Sequence, residues 1–187
     1  VSKLIESTLI SLNGVTESPD RWAVFDQEAA TAATTELDKS DAFLFGRVGY
    51  QRLRELWEPV SGNPYVAAIN AKPKYVASNS LNEVGWNATL LNGDVAAEVE
   101  RLKSDSGQDL IKYGTGRIDA TLFEAELIDE LRLWVMPVVV GSGRRLLDHF
   151  DASRLRLELL DVTRFANGSA IMSYRPTRVA QADHRDV

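Results

Sequence analysis

Three places in the chain set a glycine or a small hydroxyl residue directly after a short apolar run. Gly46 follows Ala42-Phe43-Leu44-Phe45 and precedes Arg47. Gly114-Thr115-Gly116 follows Leu110-Ile111-Lys112-Tyr113 and precedes Arg117. Ser78 follows Tyr75-Val76-Ala77. A glycine turn between a strand and a helix start can present backbone N–H groups to an anion. An arginine there can hold a phosphate through two parallel N–H bonds. The chemistry these residues suggest is recognition of a phosphate-bearing ligand. On the glycine turn alone the plain structural reading leads, because a bare G-x-G is weak. For Arg47 the choice between a phosphate ligand and a solvated first-turn residue is even.

Other chemistries lack their residues. There is no cysteine, so disulfides, thiolate nucleophiles and cysteine metal sites are excluded together. The two histidines, His149 and His184, are too few for a histidine-rich metal site. Ser142 stands between Val140 and Arg144 where a nucleophile elbow needs glycines. With 27 acidic and 21 basic residues the formal charge is −6, and the arginines form no concentrated basic face, so no nucleic-acid partner is expected. No apolar run approaches the roughly 20 residues of a membrane helix, so no membrane partner is expected either. With no signal-like N-terminus, the expected location is cytoplasmic.

The elements that must carry these turns follow from periodicity. A strand over 3–12 contains Leu4, Ile5, Leu9 and Ile10, and Asn13-Gly14 ends it and opens a long polar loop read as a flexible surface segment. An alanine-rich helix is expected over 26–39 and an amphipathic one over 47–57. A short helix over 64–71 leads to strands over 75–78 and 87–91, then to a helix over 94–104 capped by Asp94. Ile118, Leu122, Phe123 and Leu127 share a helical face, and Leu131, Leu133 and Val135 alternate as a strand. Asn167-Gly168 signals a hairpin between strands over 155–165 and 170–174. From 176 onward the chain reads as polar and frayed. The 187 residues fit one domain over 1–176 with a polar tail over 177–187. This alternation predicts an α/β fold with a mostly parallel central sheet, helices on both faces and an antiparallel C-terminal hairpin. In such sheets ligands bind at the carboxyl ends of strands. Gly46-Arg47, Ser78 and Gly114-Thr115-Gly116 all fall at such ends, which makes the phosphate reading stronger than any one turn does.

SLNG at 11–14, FGRVGY at 45–50, KYVASNSL at 74–81 and YGTGRIDATLFEAELIDELRLWVMPVVVGSGRRLL at 113–147 carry a resemblance. In order and spacing the chain resembles the dihydrofolate-reductase-like superfamily. Within it, the chain looks most like bacterial proteins related to the reductase domain of riboflavin-biosynthesis deaminase–reductases. The resemblance spans nearly the whole chain. It implies a three-layer reductase fold that commonly takes NADPH. Carried over position by position, Gly46, Arg47 and Val48 would approach the cofactor phosphates and Ser78 would line the adenosine side. Gly114, Thr115, Gly116 and Arg117 would hold the pyrophosphate. The family often has a cis peptide at its glycine pair, so a cis Gly114–Thr115 bond is an open expectation. No deaminase zinc signature is present.

On the substrate side the resemblance implies a pocket built from the 13–26 loop, the helix after it and the 137–141 segment, with Asn13, Trp22, Phe25, Pro137 and Gly141 on its walls. Trp22 and Phe25 either stack on a flat substrate or cover the core. Asp26 or Glu28 either orients a pterin- or pyrimidine-like ring through paired hydrogen bonds or serves as a first-turn helix acid. No single buried acid of the dihydrofolate-reductase kind can be placed. The leading expectation is an NADPH-dependent oxidoreductase acting on a small heterocycle. The alternative is a nucleotide-binding sensor or structural dimer without turnover. The apolar surface of 131–135 and 138–140 either makes a homodimer, toward which the resemblance also points, or belongs to a central strand covered on both faces by the chain's own helices.

Overall fold

A computed structural model describes residues 2–105, 107–148 and 155–178. His149, His184 and most of the expected polar tail lie outside the described residues. The strands are β1 (Leu4–Ser11), β2 (Ser40–Gly46), β3 (Lys74–Ala77), β4 (Ala88–Leu91), β5 (Asp109–Tyr113), β6 (Glu130–Met136), β7 (Leu155–Arg164) and β8 (Ala170–Arg178). The helices are α1 (Gln27–Asp38), α2 (Arg47–Trp57), α3 (Pro64–Ala71), α4 (Val95–Asp105) and α5 (Ile118–Glu124). One sheet holds all eight strands in the order β4-β3-β2-β5-β1-β6-β8-β7. The first six are mutually parallel and β8 and β7 are antiparallel. The fold is therefore the expected α/β architecture, a mostly parallel central sheet closed by an antiparallel C-terminal hairpin.

Alternation along β1 divides the layers. Leu4 joins a core with Leu44, Val99, Leu102, Leu122 and Phe123, placing α4 and α5 on its face. Phe43, Phe45 and Ile111 project to the other face and pack with Leu37, Tyr50 and Ile69, so α1, α2 and α3 lie there. The central strands are buried on both faces, which is why they read as apolar runs. Lys74 is fully buried yet satisfied: its Nζ donates to the carbonyls of Ile69, Asn70 and Lys72, closing the C-terminus of α3, and it stands 4.4 Å from the Trp86 ring centroid.

Three expectations need correction and one open question is answered. The helix expected to reach Leu127 ends at Glu124, where Glu126 adopts φ 55°. Leu127 N–H then donates to Leu122 O and Glu126 N–H to Phe123 O, the paired bonds of a Schellman motif. Leu127 keeps its core position by this turn, so its spacing mimicked a longer helix. The frayed end expected from 176 is ordered to Arg178, because β7 pairs with β8 as far as Leu155↔Arg178. Pro176 is tolerated there since it lies beyond Tyr174, the last β8 residue paired with β6. The Gly114–Thr115 bond is trans. The loop after β1 is no free surface segment: Val15 is 2% exposed and bridges Arg145, and Asn13 ties both polar side-chain atoms to the Val140 backbone.

Apolar surface also falls elsewhere than expected. Leu131 and Leu133 are buried between β1 and β8. Val139 is exposed, but the larger exposed apolar row is Leu157, Leu159 and Val162 on the edge strand β7.

Candidate active site

β3, β2 and β5 are neighbours, so Ser78, Gly46-Arg47 and the Gly114–Gly116 turn end on one edge of the sheet. Gly46 is the N-cap of α2 and supplies no capping side chain, so the first amides of α2 lack a side-chain partner. Gly114 turns the chain out of β5 at φ 73°. Its N–H donates to Ser7 O, and the Gly116 N–H donates to Asp119 Oδ2 at 2.6 Å. The amides of Thr115 and Arg117 make no bond among the described residues. Arg47 and Arg117 are exposed, and neither guanidinium is paired among the described residues. The edge thus offers the uncapped start of α2, two further amides and two free cations, a set suited to a diphosphate. Ser78 is turned to its own loop, where Oγ accepts from the amides of Ser80 and Leu81.

The glycine turn rests on a buried ionic cluster that sequence reading did not single out. Lys112 Nζ donates to Gly114 O and stands 2.7 Å from Asp119 Oδ1 and 3.4 Å from Glu6 Oε2. Burial pushes the Glu6 carboxyl up to about 8, Lys112 pulling against it and Asp119 adding to it. Burial works against the Lys112 ammonium too, but Asp119 and Glu6 hold its proton affinity above the ordinary lysine value. Lys112 comes from β5 and Asp119 from the first turn of α5, so together they clamp both ends of the turn.

On the face of α1 and α2 lies a cavity of about 850 Å³ that reaches this turn. Phe25, Trp57, Tyr65, Tyr113 and Trp134 give it aromatic walls, and Val48, Gly114 and Thr115 line it where it meets the strand-end turns. Ala30 and Ala33 keep the α1 wall low. A flat ring would find aromatic surface on several sides there. At the mouth, Arg52 pairs with Asp20 and Arg144 with Glu17, so both loop acids meet arginines that line the cavity. On the floor Glu36 Oε2 accepts from Ser7 Oγ at 3.0 Å, and Trp134 Nε1 donates to the same Oγ at 3.0 Å. The Tyr65 and Tyr113 hydroxyls are 3.1 Å apart. Burial raises the Glu36 carboxyl above its usual range although Arg132 opposes it. Burial likewise pushes Tyr65 up to about 12 and Tyr113 well above the ordinary phenol.

Of the expected substrate-side residues, Phe25 lines this cavity and the others stand elsewhere. Trp22 donates its Nε1–H to Glu17 O and packs on the Ala29, Trp134 and Met136 cluster. Asp26 is the N-cap of α1, accepting from Ala29 N–H on one oxygen and Asn167 N–H on the other. Glu28 faces the opposite flank of α1, toward a more open groove of about 810 Å³. Asn13 serves the loop tie described above. Pro137 and Gly141 line no part of the cavity, and Arg144 supplies that wall instead, because the bridge between Val15 and Arg145 draws the later residues inward. Sequence reading missed Glu36, Ser7, Tyr65 and Tyr113.

Comparison with known proteins places this geometry. The chain is 27% identical over 183 residues to the Bacillus subtilis (strain 168) protein YyaP, itself uncharacterized, covering 92% of this chain and 94% of that one. A crystal structure from Shewanella sp. PV-4, provisionally assigned to riboflavin biosynthesis, superposes with a TM-score of 0.72 at 19% identity, over 95% of this chain and 100% of that chain. The Thermotoga maritima diaminohydroxyphosphoribosylaminopyrimidine deaminase/5-amino-6-(5-phosphoribosylamino)uracil reductase gives 0.66 at 12% identity. That match covers 94% of this chain and 57% of the larger enzyme. At these identities the structural likeness is one of fold. The profile described as the RibD C-terminal domain matches residues 2–171, and the chain belongs to that family.

Proposed function

We propose that this chain is a reductase that takes NADPH and transfers a hydride to a small, flat nitrogen heterocycle of the pterin or ribosylaminopyrimidine kind. The observation that carries the reading is the continuity of the aromatic cavity with the sheet edge of free amides and arginines, at Val48, Gly114 and Thr115. A dinucleotide laid along that edge brings its nicotinamide to the cavity. The amides of α2 and of Thr115 and Arg117 hold its diphosphate, and Arg47 reads the 2′-phosphate. The bound nicotinamide supplies the hydride; the protein orients the acceptor ring between Phe25, Trp57 and Trp134 and keeps water out. Membership of the RibD C-terminal domain family supports the reading, since its deaminase–reductase relatives carry a reductase activity.

The test is NADPH titration by fluorescence, followed by a screen of pterin, pyrimidine and carbonyl acceptors for loss of reduced-nicotinamide absorbance. Binding without turnover of any acceptor assigns the chain to nucleotide sensing, and absence of binding sinks the reductase reading. Arg47→Ala is expected to weaken NADPH about tenfold or more while sparing NADH, the loss of one charge-assisted contact. Equal loss for both dinucleotides would show that Arg47 does not read the 2′-phosphate.

A further inference from the structure

Helix α1 is the partition between the enclosed cavity and the open groove on its other flank, and Glu36 lines both hollows. Gln27 and Trp134 also line both, but Glu36 is the one of the three that can carry a proton at ordinary pH. Its two carboxyl oxygens look in different directions. Oε2 meets Ser7 Oγ, which lines the cavity; Oε1 accepts from Arg132 Nη1 at 2.8 Å, and Arg132 lines the groove. Arg132 in turn donates from Nε and Nη2 to Glu130 Oε1, and Lys3 stands 3.8 Å from Glu130 Oε2. While Glu36 is ionised, Ser7 Oγ accepts from the Trp134 indole and its own hydrogen is directed to Glu36 Oε2. A hydrogen-bonded row therefore runs from the cavity floor, through one carboxyl, to a groove open to solvent.

We propose that Glu36 is the proton store of the cavity, loaded from the groove and discharged through Ser7 Oγ. The inference rests on the reductase reading. Reduction of a C=N or C=O bond forms a C–H bond with the hydride of the reduced nicotinamide. The former π pair then takes a proton on nitrogen or oxygen. When Glu36 is protonated its bond to Ser7 reverses: Glu36 Oε2–H donates to Ser7 Oγ and turns the serine hydrogen to the cavity, and that hydrogen passes to the substrate as the Glu36 O–H bond breaks and restores the serine hydroxyl. The Glu36 carboxylate regains a proton from groove water, so each turnover consumes one NADPH and one proton and releases NADP+. A filled cavity expels its water, and a supply from the far flank of α1 avoids opening it.

The surroundings suit a group that gains and loses a proton. From β6, Arg132 favours the carboxylate and Glu130 opposes it; burial outweighs both. Tyr113 of β5 and Tyr65 of α3 face the same carboxyl, whose charge raises each of them. Lys3, Glu28, Lys39 and Asp161 border the groove.

The test is carbon-13 NMR of the side-chain carboxyls in glutamate-labelled protein, titrated from about pH 4 to about pH 9, free and with saturating NADP+. Glu36 is assigned by the loss of its signal in Glu36→Gln or, where that variant does not fold, by its displacement in Glu36→Asp. The expected result is a Glu36 inflection above the ordinary glutamate range, distinct from that of Glu6, retained with NADP+ bound and moved upward by Arg132→Gln. A carboxyl that stays ionised throughout is a structural partner of Arg132 and overturns the proton store. An inflection lost when NADP+ fills the cavity overturns the groove route. No effect of NADP+ on the Gly114–Gly116 amides overturns the reductase reading and the discharge step with it. An NADP+ effect there with no Glu36 inflection overturns the proton store alone.

Discussion

Gly46 and Ile118 touch across the seam between the two strand-to-helix turns: a β-carbon at Gly46 would stand 3.2 Å from Ile118 Cγ2. The φ of −82° at Gly46 would admit alanine, so the constraint is contact and not backbone strain. Ile118 opens α5, and its branched methyl has no flexible stem with which to yield. Gly46→Ala is expected to push the seam apart, costing about 1 kcal/mol of stability and weakening NADPH about tenfold. At Gly116 a β-carbon would meet no atom within 4 Å, so Gly116→Ala should leave stability the same or slightly higher. Thermal unfolding with NADPH titration separates the two; equal behaviour would remove the seam from the account.

Glu126 occupies the left-handed position that ends α5, where glycine is the usual residue. Its side chain is exposed and makes no ion pair among the described residues, so nothing there offsets the backbone cost. Leu127 and Leu122, joined by the Schellman bond, are both buried in the core cluster. Glu126→Gly should therefore stabilise the fold by roughly 0.5–1 kcal/mol, after the extra freedom glycine gives the unfolded chain. The thermal midpoint should rise by a few degrees at most. A fall in midpoint would mean the turn is held by something other than its dihedral.

The contrast between these turns shows what was legible. Glycines after apolar runs are local signals, so the sheet edge and its strand ends could be read from order alone. The cavity floor could not, because its residues meet through the sheet. Ser7 and Tyr113 face one another's neighbourhood only once β1 lies beside β5 in the Ser7↔Tyr113 register. Glu36 did leave a trace: it stands seven residues after Ala29, on the buried face of α1, with Leu37 beside it. An acid on that face was a stronger signal than Asp26, whose position before an alanine run is that of a cap. The 137–141 wall was misplaced because the path of a loop depends on distant ties, here Asn13 to Val140 and Val15 to Arg145.

The exposed row Leu157, Leu159 and Val162 lies on β7, whose outer edge has no neighbouring strand among the described residues. A long apolar edge strand invites pairing with another chain. We propose this edge, in place of 131–135 and 138–140, as the contact of a homodimer, with a second copy as the occupant. Light scattering should read a dimer for the native chain and a monomer for Leu159→Glu with Val162→Glu, at an unchanged thermal midpoint. A native monomer, or a dimer that survives both changes, would remove the edge from consideration.

One cation and two carboxylates share the buried space beneath the glycine turn, so the cluster of Glu6, Lys112 and Asp119 is neutral only while one more proton is present. That proton belongs with Glu6, whose carboxyl burial pushes up to about 8 from 4.5. The folded value lies above the unfolded one, so the stability it contributes is fully present below about 4.5 and is lost as pH rises through about 8. Glu36 is raised as well and acts with the same sign. Lys112 keeps its proton through this window, since Asp119 and Glu6 hold it above the ordinary lysine value. The thermal midpoint should fall as pH rises from about 5 to about 9, by an amount on the order of a few kcal/mol in stability, of which about 1 kcal/mol is lost above pH 7. Glu6→Gln fixes the neutral form and should flatten that fall, leaving the slope due to Glu36. Asp119→Asn removes the repelling carboxylate, so it should move the midpoint's inflection to lower pH while loosening Gly116, whose amide loses its acceptor oxygen's charge. NADPH affinity should weaken in Asp119→Asn and stay near native in Glu6→Gln at neutral pH. An unchanged pH slope in Glu6→Gln would show that the extra proton sits elsewhere in the fold.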